Sequence, residues 1–357
     1  MRKFNNLLVT GGAGFIGSNF IRYVMNETDF QGRIINLDTL TYAGNPLSLE
    51  DISQTFGDRY VFVHADIRDK ARLTEIFEEF DIDSVCHFAA ESHVDRSIVA
   101  PDDFIQTNIV GTFNLVQTAK ERLGKMVLFH HVSTDEVFGS LGDTGFFTEQ
   151  TAYLPHSPYS ASKASSDHIV RAYHDTYGLP ITISNCSNNY GAYQFPEKLI
   201  PLVILNALEG KALPVYGEGI NVRDWLHVDD HCSAIWQIMQ QAVLGETYVV
   251  GGRCELRNID VVKRLCAVVD RLAPPLASGR SRESLITYVK DRPGHDHRYA
   301  IDCSRLEKDL GWRQTETADS GFEKTVRWYL ENTAWVESVR TGAYRQWLDK
   351  NYGDRQG

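Results

Sequence analysis

Long apolar runs are missing from this 357-residue chain. No stretch approaches the roughly 20 residues of a membrane helix, so no membrane partner is expected. Basic residues are in deficit: 36 Lys and Arg stand against 47 Asp and Glu, a net charge of −11. That argues against nucleic acid or an anionic membrane as partner. An anionic ligand would need cations gathered locally. Cysteine is sparse, with six residues at 86, 186, 232, 254, 266 and 303. They form no CxxC pair and no Cys/His cluster of metal-site spacing, so no metal is expected. Free thiols in a reducing cytoplasm are the reading. The opening MRKFNNLLVTGG has a basic start, but its apolar run is too short for a signal peptide. Repeats and low-complexity segments are also absent. With 43% hydrophobic and 23% charged residues, what remains suits a globular enzyme of one large or two interleaved domains.

What is present begins with a β-α alternation. Asn6–Thr10 is a short apolar strand, GGAGFIG follows at 11–17, and residues 18–26 have a helical pattern. Strand, glycine loop and helix give the context of a dinucleotide fingerprint, with Gly11, Gly14, Phe15, Ile16 and Gly17 as candidate contacts. A second strand, 33–37, ends at Asp38, 21 residues after Gly17. An acid there can bond both hydroxyls of an adenosine ribose, which favours NAD over NADP. A third strand, Tyr60–His64, leads to Asp66 and Ile67, which could flank the adenine. A helix over 70–80 and a strand over 84–88 follow, running into Ala89, Ala90, Glu91, Ser92 and His93. Small residues at a strand end let a cofactor lie close to the backbone. His93, Asp95 and Arg96 are either site groups or satisfied loop residues. A long helix over 101–122 carries Thr107 and Asn108. The fold class expected is α/β, a Rossmann-type doubly wound parallel sheet, with a smaller C-terminal substrate-binding α/β domain.

The next strand, from Met126, ends in Ser133, Thr134, Asp135 and Glu136. Ligands in open α/β sheets sit past the carboxyl ends of strands. Two adjacent acids there can hold different protonation states, one donating and the other accepting a proton. A solvated turn is the plain alternative. Tyr159 and Lys163 open a helix that runs to about residue 177, and their spacing puts them on one face. A phenol has a pKa near 10 (about the free value), and a neighbouring ammonium and a cationic nicotinamide would both lower it. Further on come a strand over 179–186, SNNYG at 187–191, QFPEKLIP at 194–201 and a strand over 214–217. Helices are expected over 229–243 and Asn258–Leu272, with a strand over 248–252 between them. Tyr216 could stack on a base or belong to the core. Arg223 and Arg292 are candidates for a ligand pyrophosphate, or surface ion pairs. The tail from 318 to 352 looks helical, with Trp328, Trp335 and Trp347 packing.

TGGAGFIG at 10–17 and the Tyr159/Lys163 pair make the chain resemble the extended short-chain dehydrogenase/reductase family. More narrowly it resembles the dTDP-glucose 4,6-dehydratases. That rests on LDTLTYAGN at 37–45, AAESHVDRSI at 89–98, STDEVFG at 133–139, PYSASKA at 158–164, NVRDWLHV at 221–228 and DRPGHDHRYAID at 291–302. The Asp135–Glu136 pair sets them apart from the UDP-galactose 4-epimerases of the same scaffold. Asn185 and Ala192 depart from the pattern, which usually has Arg and Pro there; neither is expected to touch a catalytic group.

The resemblance implies a reaction in three steps with no net redox change. Tyr159 deprotonates the glucose 4-hydroxyl as hydride passes to NAD⁺, Thr134 bonds the same oxygen, and Lys163 lowers the Tyr pKa. Glu136 then removes the C5 proton while Asp135 protonates the departing 6-hydroxyl. Hydride finally returns to C6, so NAD is tightly bound and regenerated. The implied cofactor contacts add Thr41, Ala89, Ala90, Ser92, Thr107 and Asn189. Those to the nucleotide sugar are Ser92, His93, Thr134, Asn188, Lys198, Leu199, Pro214, Tyr216, Arg223, Asn258, Arg292 and His295. A homodimer through the helices near 101–122 and 157–177 is implied too, as is use of the product in deoxysugar synthesis of the dTDP-rhamnose type. The expected division is 1–186 for NAD, with a returning segment about 222–257, and 187–221 with 258–357 for the sugar. Another nucleotide-sugar dehydratase or epimerase, or a non-catalytic NAD sensor, are the rival readings.

Overall fold

The computed structural model describes residues 1–340. Among these the strands are β1 (Asn6–Thr10), β2 (Arg33–Asp38), β3 (Tyr60–His64), β4 (Ser84–His87), β5 (Leu128–Thr134) and β6 (Ile181–Cys186). They continue with β7 (Asn188–Tyr190), β8 (Leu213–Tyr216), β9 (Val222–His227), β10 (Thr247–Val250), β11 (Glu255–Arg257) and β12 (Ile286–Val289). Seven strands form one parallel sheet in the order β10-β6-β5-β4-β1-β2-β3. The order reverses between β1 and β4, and that switch point opens a crevice at the carboxyl ends. The chain is therefore a doubly wound Rossmann-type fold, as its alternation predicts.

The strands are apolar because helices cover both faces. Leu8, Ile35 and Val85 pack with Leu73, Phe77, Leu115, Val116 and Val170 on one side. Leu7, Val9 and Ile34 pack with Phe20, Ile21, Val24, Val228 and Trp236 on the other. All seven residues of β5 are buried, His130 and His131 included. His130 survives there because Thr182 Oγ1 at 2.9 Å and Ser184 Oγ at 3.1 Å, both from β6, satisfy its ring.

Two helices position the site. Pro158–Tyr177 starts from a reciprocal Ser157–Ser160 capping box, has Pro158 in its first turn, and ends on Gly178 at φ +71°. The helix expected over 101–122 is not uniform. Pro101–Phe104 passes into a π-helical stretch, Ile105–Gly111, before Thr112–Glu121. The wider turn delivers Asn108 inward, where it accepts from the Glu91 N–H at 2.8 Å and donates to Ser162 Oγ at 2.8 Å. Such turns often mark functional sites.

The rest of the chain forms a smaller α/β body. It contains a β11-β9-β7 sheet, a β12-β8 pair, and the helices Leu199–Glu209, Asn258–Leu272, Ala318–Glu331 and Thr333–Val339. Their core runs from Ile200 and Val203 through Val262 and Leu265 to Phe322 and Val326. Within 222–257 the chain divides: β10 joins the large sheet, whereas β11 pairs with β9 and β9 with β7. Trp328 and Trp335 pack edge-on with centroids 5.1 Å apart; Trp347 lies outside the described residues. No helix among the described residues is long and apolar enough to cross a membrane.

Candidate active site

The crevice floor starts where β1 ends. Gly11 takes φ +72°, and a Cβ on it would lie 2.7 Å from the Ala89 nitrogen beyond β4. A Cβ on Gly17 would lie 2.3 Å from the Gly11 carbonyl oxygen. These glycines let the helix Phe15–Glu27 begin against the strand ends. Its N-cap is Gly14, and no side chain caps it. A helix start without a side-chain cap is suited to a pyrophosphate. Asp38, at the end of β2, is buried and accepts from the Ala13 N–H at 3.0 Å and the Leu40 N–H at 2.8 Å. Burial pushes its carboxyl pKa up, and those amides partly restrain the shift.

Gly11, Gly14, Phe15, Ile16, Gly17, Asp38, Thr41, Asp66, Ile67, Ala89, Ala90, Ser92, Thr107, Tyr159, Lys163 and Asn189 all line one cleft of about 610 Å³. Thr134, Asp135, Glu136, Asn188 and Lys198 line it too. A glycine cradle, a helix start without a side-chain cap and a buried acid at the ribose position suit NAD. Asp66 is ion-paired with Arg68 at 2.6 Å.

β5 then delivers the acids. A tight turn, Asp135–Phe138, follows the strand and is capped by Thr134, whose Oγ1 accepts from the Glu136 N–H at 3.3 Å. The same hydroxyl donates to Asp135 Oδ1 at 3.3 Å. Asp135 is 1% exposed, and its Oδ2 is buried with no hydrogen-bond partner. Burial raises the Asp135 pKa strongly, and the charges of Glu136 and Asp224 add to that. Burial raises Glu136 as well, but Arg292, Lys198 and Arg223 oppose it. Arg223 acts on both carboxyls, but Glu136 is opposed by Arg292 and Lys198 as well, the asymmetry an acid–base pair needs.

Tyr159 and Lys163 are both buried against β5. Lys163 stands one turn after Tyr159 on the same helix. Its ammonium donates to the Val132 carbonyl at 2.8 Å. Burial raises the Tyr159 pKa strongly, Glu136 raises it further, and a hydrogen bond with Thr134 is what opposes the rise. Burial lowers the Lys163 pKa, with Asp167 opposing.

His93, at the start of the short helix Val94–Val99, and Leu199, Pro214, Tyr216, Arg223, Asn258, Arg292 and His295, from the smaller body and the segments around it, do not line this cleft. They adjoin it through Glu136, on which Arg292 and Arg223 act. Asp95 gathers part of this group: its Oδ2 accepts from the Tyr216 hydroxyl at 2.9 Å, and its Oδ1 lies 3.5 Å from Arg292. Tyr216 meets His295 edge-on. Arg223 is 4% exposed, lies 4.1 Å from the Tyr299 ring centroid and donates to the Asp296 carbonyl at 3.0 Å. The Asn258 Oδ1 is buried without a hydrogen-bond partner.

Several residues that bear on the site are not among the expected contacts. Asp224 and Tyr299 are buried beside the acids and the arginine. Asp167, one turn after Lys163, accepts from Ser133 Oγ at 2.9 Å and the Tyr153 hydroxyl at 2.8 Å. Asn185 lies close to the site: its amide donates to the backbone carbonyl of Thr134 at 3.2 Å, though not to a catalytic group. It can do so because β5 and β6 pair there, which sequence distance conceals. Ala192 contacts elsewhere, its carbonyl accepting from Asn19 at 2.9 Å.

Comparisons with known proteins point to one group. The family model described as GDP-mannose 4,6 dehydratase matches residues 8–325. The dTDP-glucose 4,6-dehydratase of Salmonella typhimurium strain LT2 is 53% identical over 366 aligned positions, covering 98% of this chain and 99% of that one. The dTDP-glucose 4,6-dehydratase 1 of Escherichia coli K12 is 54% identical with the same coverage. Among solved structures, DesIV of Streptomyces venezuelae, a dTDP-glucose 4,6-dehydratase with NAD and the ligand TYD bound, matches with a TM-score of 0.87 and 45% identity. That match covers 94% of this chain and 100% of the other.

Proposed function

The chain belongs to the dTDP-glucose 4,6-dehydratases, and from that premise we infer that it converts dTDP-glucose to dTDP-4-keto-6-deoxyglucose and water. It is an NAD-dependent hydro-lyase. The observation that carries the dehydratase chemistry is the unequal Asp135–Glu136 pair at the end of β5. NAD, when bound, supplies a reversible hydride store and a positive charge, and its regeneration in each turnover is why it must stay tightly held.

The residues divide the remaining work. Tyr159 takes the proton of the glucose 4-hydroxyl, and Thr134 hydrogen-bonds that oxygen. The protein alone holds the phenol up, so Tyr159 acts as base only in the loaded cleft. Lys163, one turn along the same helix and anchored on the Val132 carbonyl, lowers the phenol's pKa together with the cationic nicotinamide. Oxidation at C4 acidifies the C5 proton, and Glu136 removes it. Asp135 stays protonated among its anionic neighbours and gives that proton to the 6-hydroxyl, which leaves as water. Elimination requires an acid and a base that reach adjacent carbons, and consecutive residues on one tight turn meet that need. Arg223, Arg292 and Lys198 take the nucleotide diphosphate, with Ser92, His93, Asn188, Leu199, Pro214, Tyr216, Asn258 and His295 around it. The partnerless Asn258 Oδ1 supports a ligand there.

Solvent deuterium entering C5 tests the acid–base assignment. Glu136→Gln is expected to slow that exchange by about 10²–10⁴-fold. Asp135→Asn is expected to keep the exchange but lose water elimination. Equal exchange and equal product from both variants and the wild type overturns the assignment.

The broader reading has three parts. The large sheet with β10 serves NAD and the smaller body serves the sugar nucleotide. The chain pairs with a second copy through the segments near 101–122 and 157–177, where Val99, Ile105, Phe113 and Tyr177 are exposed apolar side chains. It works in the cytoplasm, a placement supported by six cysteines with no disulfide, and its product feeds deoxysugar synthesis of the dTDP-rhamnose type.

A further inference from the structure

Three cleft-lining side chains have no part in this chemistry: Tyr42, Arg96 and Glu197. They come from three separate segments. Tyr42 follows Asp38 and Thr41 in the loop after β2. Arg96 lies in the short helix Val94–Val99 beyond β4. Glu197 directly precedes Lys198, in the segment that enters the helix Leu199–Glu209 of the smaller body. The Arg96 guanidinium lies 3.8 Å from the centroid of the Tyr42 ring. Its Nε and Nη2 both donate to Glu197 Oε2, at 3.0 and 2.9 Å. The Glu197 side chain is 3% exposed and that of Arg96 22%. A guanidinium packed between an aromatic face and a buried carboxylate is held by stacking and by charge, with little competition from water.

The loop that carries Tyr42 is fastened a second time. Asn45 Nδ2 donates to Ser338 Oγ at 2.8 Å, and Trp335 Nε1 donates to Ser48 Oγ at 2.9 Å. Phe195, two residues before Glu197, meets the Tyr42 ring edge-on at 5.7 Å. The loop bearing Asp38 and Thr41 grows from the large sheet, yet its outer half is tied to the smaller body. It cannot swing away from the cleft without breaking the Arg96 stack or pulling Glu197 with it.

We propose that Tyr42, Arg96 and Glu197 form a clasp across the cleft that sets how slowly NAD leaves. The clasp joins the wall that recognises the cofactor ribose to the wall that carries Lys198, so cofactor release requires the two bodies to part. This rests on the reading of the cleft as an NAD site. None of the three residues touches a reacting group; they act by closing the cleft.

The test is NAD release from purified holoenzyme into NAD-free buffer, followed as NAD remaining with the protein. Arg96→Ala, Glu197→Gln and Tyr42→Leu are each expected to release NAD about tenfold faster than wild type, the loss of one charged stack. The Arg96→Ala/Glu197→Gln double variant is expected to be no faster than the quicker single variant, because the residues act as one unit. Arg96→Lys keeps the charge without the planar fork and is expected to fall between, which preserves the test if the alanine variant does not fold. Release at the wild-type rate from these variants, or fully additive effects in the double variant, overturns the clasp. A wild-type protein that never holds NAD overturns the cofactor reading and the clasp with it.

Discussion

The side-chain amide of Asn185 donates to the backbone carbonyl of Thr134 over 3.2 Å, and to Asp167 Oδ2 at 3.1 Å. It ties the end of β5, which carries the acids, to the helix that carries Tyr159 and Lys163. All three residues are buried. Asn185→Ala removes a donor from a buried carboxylate and releases the Thr134 carbonyl. Stability is expected to fall by about 1–3 kcal/mol, with kcat falling more than KM rises. Thermal melting and steady-state kinetics check this; an unchanged kcat means that Asn185 only fills space.

Gly17 and Gly14 are expected to respond differently to alanine. A Cβ on Gly17 meets the Gly11 carbonyl oxygen at 2.3 Å and the Gly12 Cα at 2.8 Å, both rigid backbone. A Cβ on Gly14 meets the Gly11 oxygen at 3.2 Å and takes an ordinary φ of −80°. Gly17→Ala is expected to cost about 1–3 kcal/mol by overpacking and to weaken NAD binding, because the loop and helix must separate. Gly14→Ala is expected to melt near wild type. Calorimetry of the two variants, with and without NAD, decides; equal melting temperatures contradict the crowding argument.

Three histidines make stability depend on pH. Burial lowers His130 to about 3, His131 to about 4 and His231 to about 3. For His131 the Lys163 charge adds to burial, and its contact with Asp167 at 3.1 Å opposes both. Below a pH of about 6.5 the unfolded chain takes up protons that the native state refuses. Their contribution to stability is therefore expected to fall as the pH drops from about 6.5 toward 4, on the order of 1.4 kcal/mol per pH unit for each histidine, with the raised carboxyls Asp38, Glu91 and Glu136 acting the other way. Urea midpoints at pH 7.5 and pH 5 test the slope. His231→Gln is expected to flatten it, since the Asn189 contact at 2.8 Å can be kept by an amide; a midpoint that does not move between the two pH values contradicts the account.

The legible part of the fold is the part with strong local signals. β1 and β3 have the expected bounds, because each reads as a short apolar run between polar turns. The helix Asn258–Leu272 does too, since one face of it is apolar throughout. β11 and β12 are three and four residues long, and most of their side chains are not buried. Their existence depends on β9 and β8 beside them, which no local pattern records. The π-helical stretch is equally silent, because Asn108 draws it inward toward Glu91 and Ser162. Motif spacing brought Thr134, Asp135, Glu136, Tyr159 and Lys163 to one cleft. It missed Asn185, 51 residues from Thr134, and the clasp, whose members are joined only by folding.

The central claim is tested most directly by incubating the purified protein with dTDP-glucose, without added NAD, and weighing the nucleotide sugar by mass spectrometry. The expected result is the loss of one water, which shows both the elimination and a cofactor retained and regenerated. An unchanged mass with a new configuration at C4 contradicts the account, because it leaves Asp135 and Glu136 without the roles their surroundings give them.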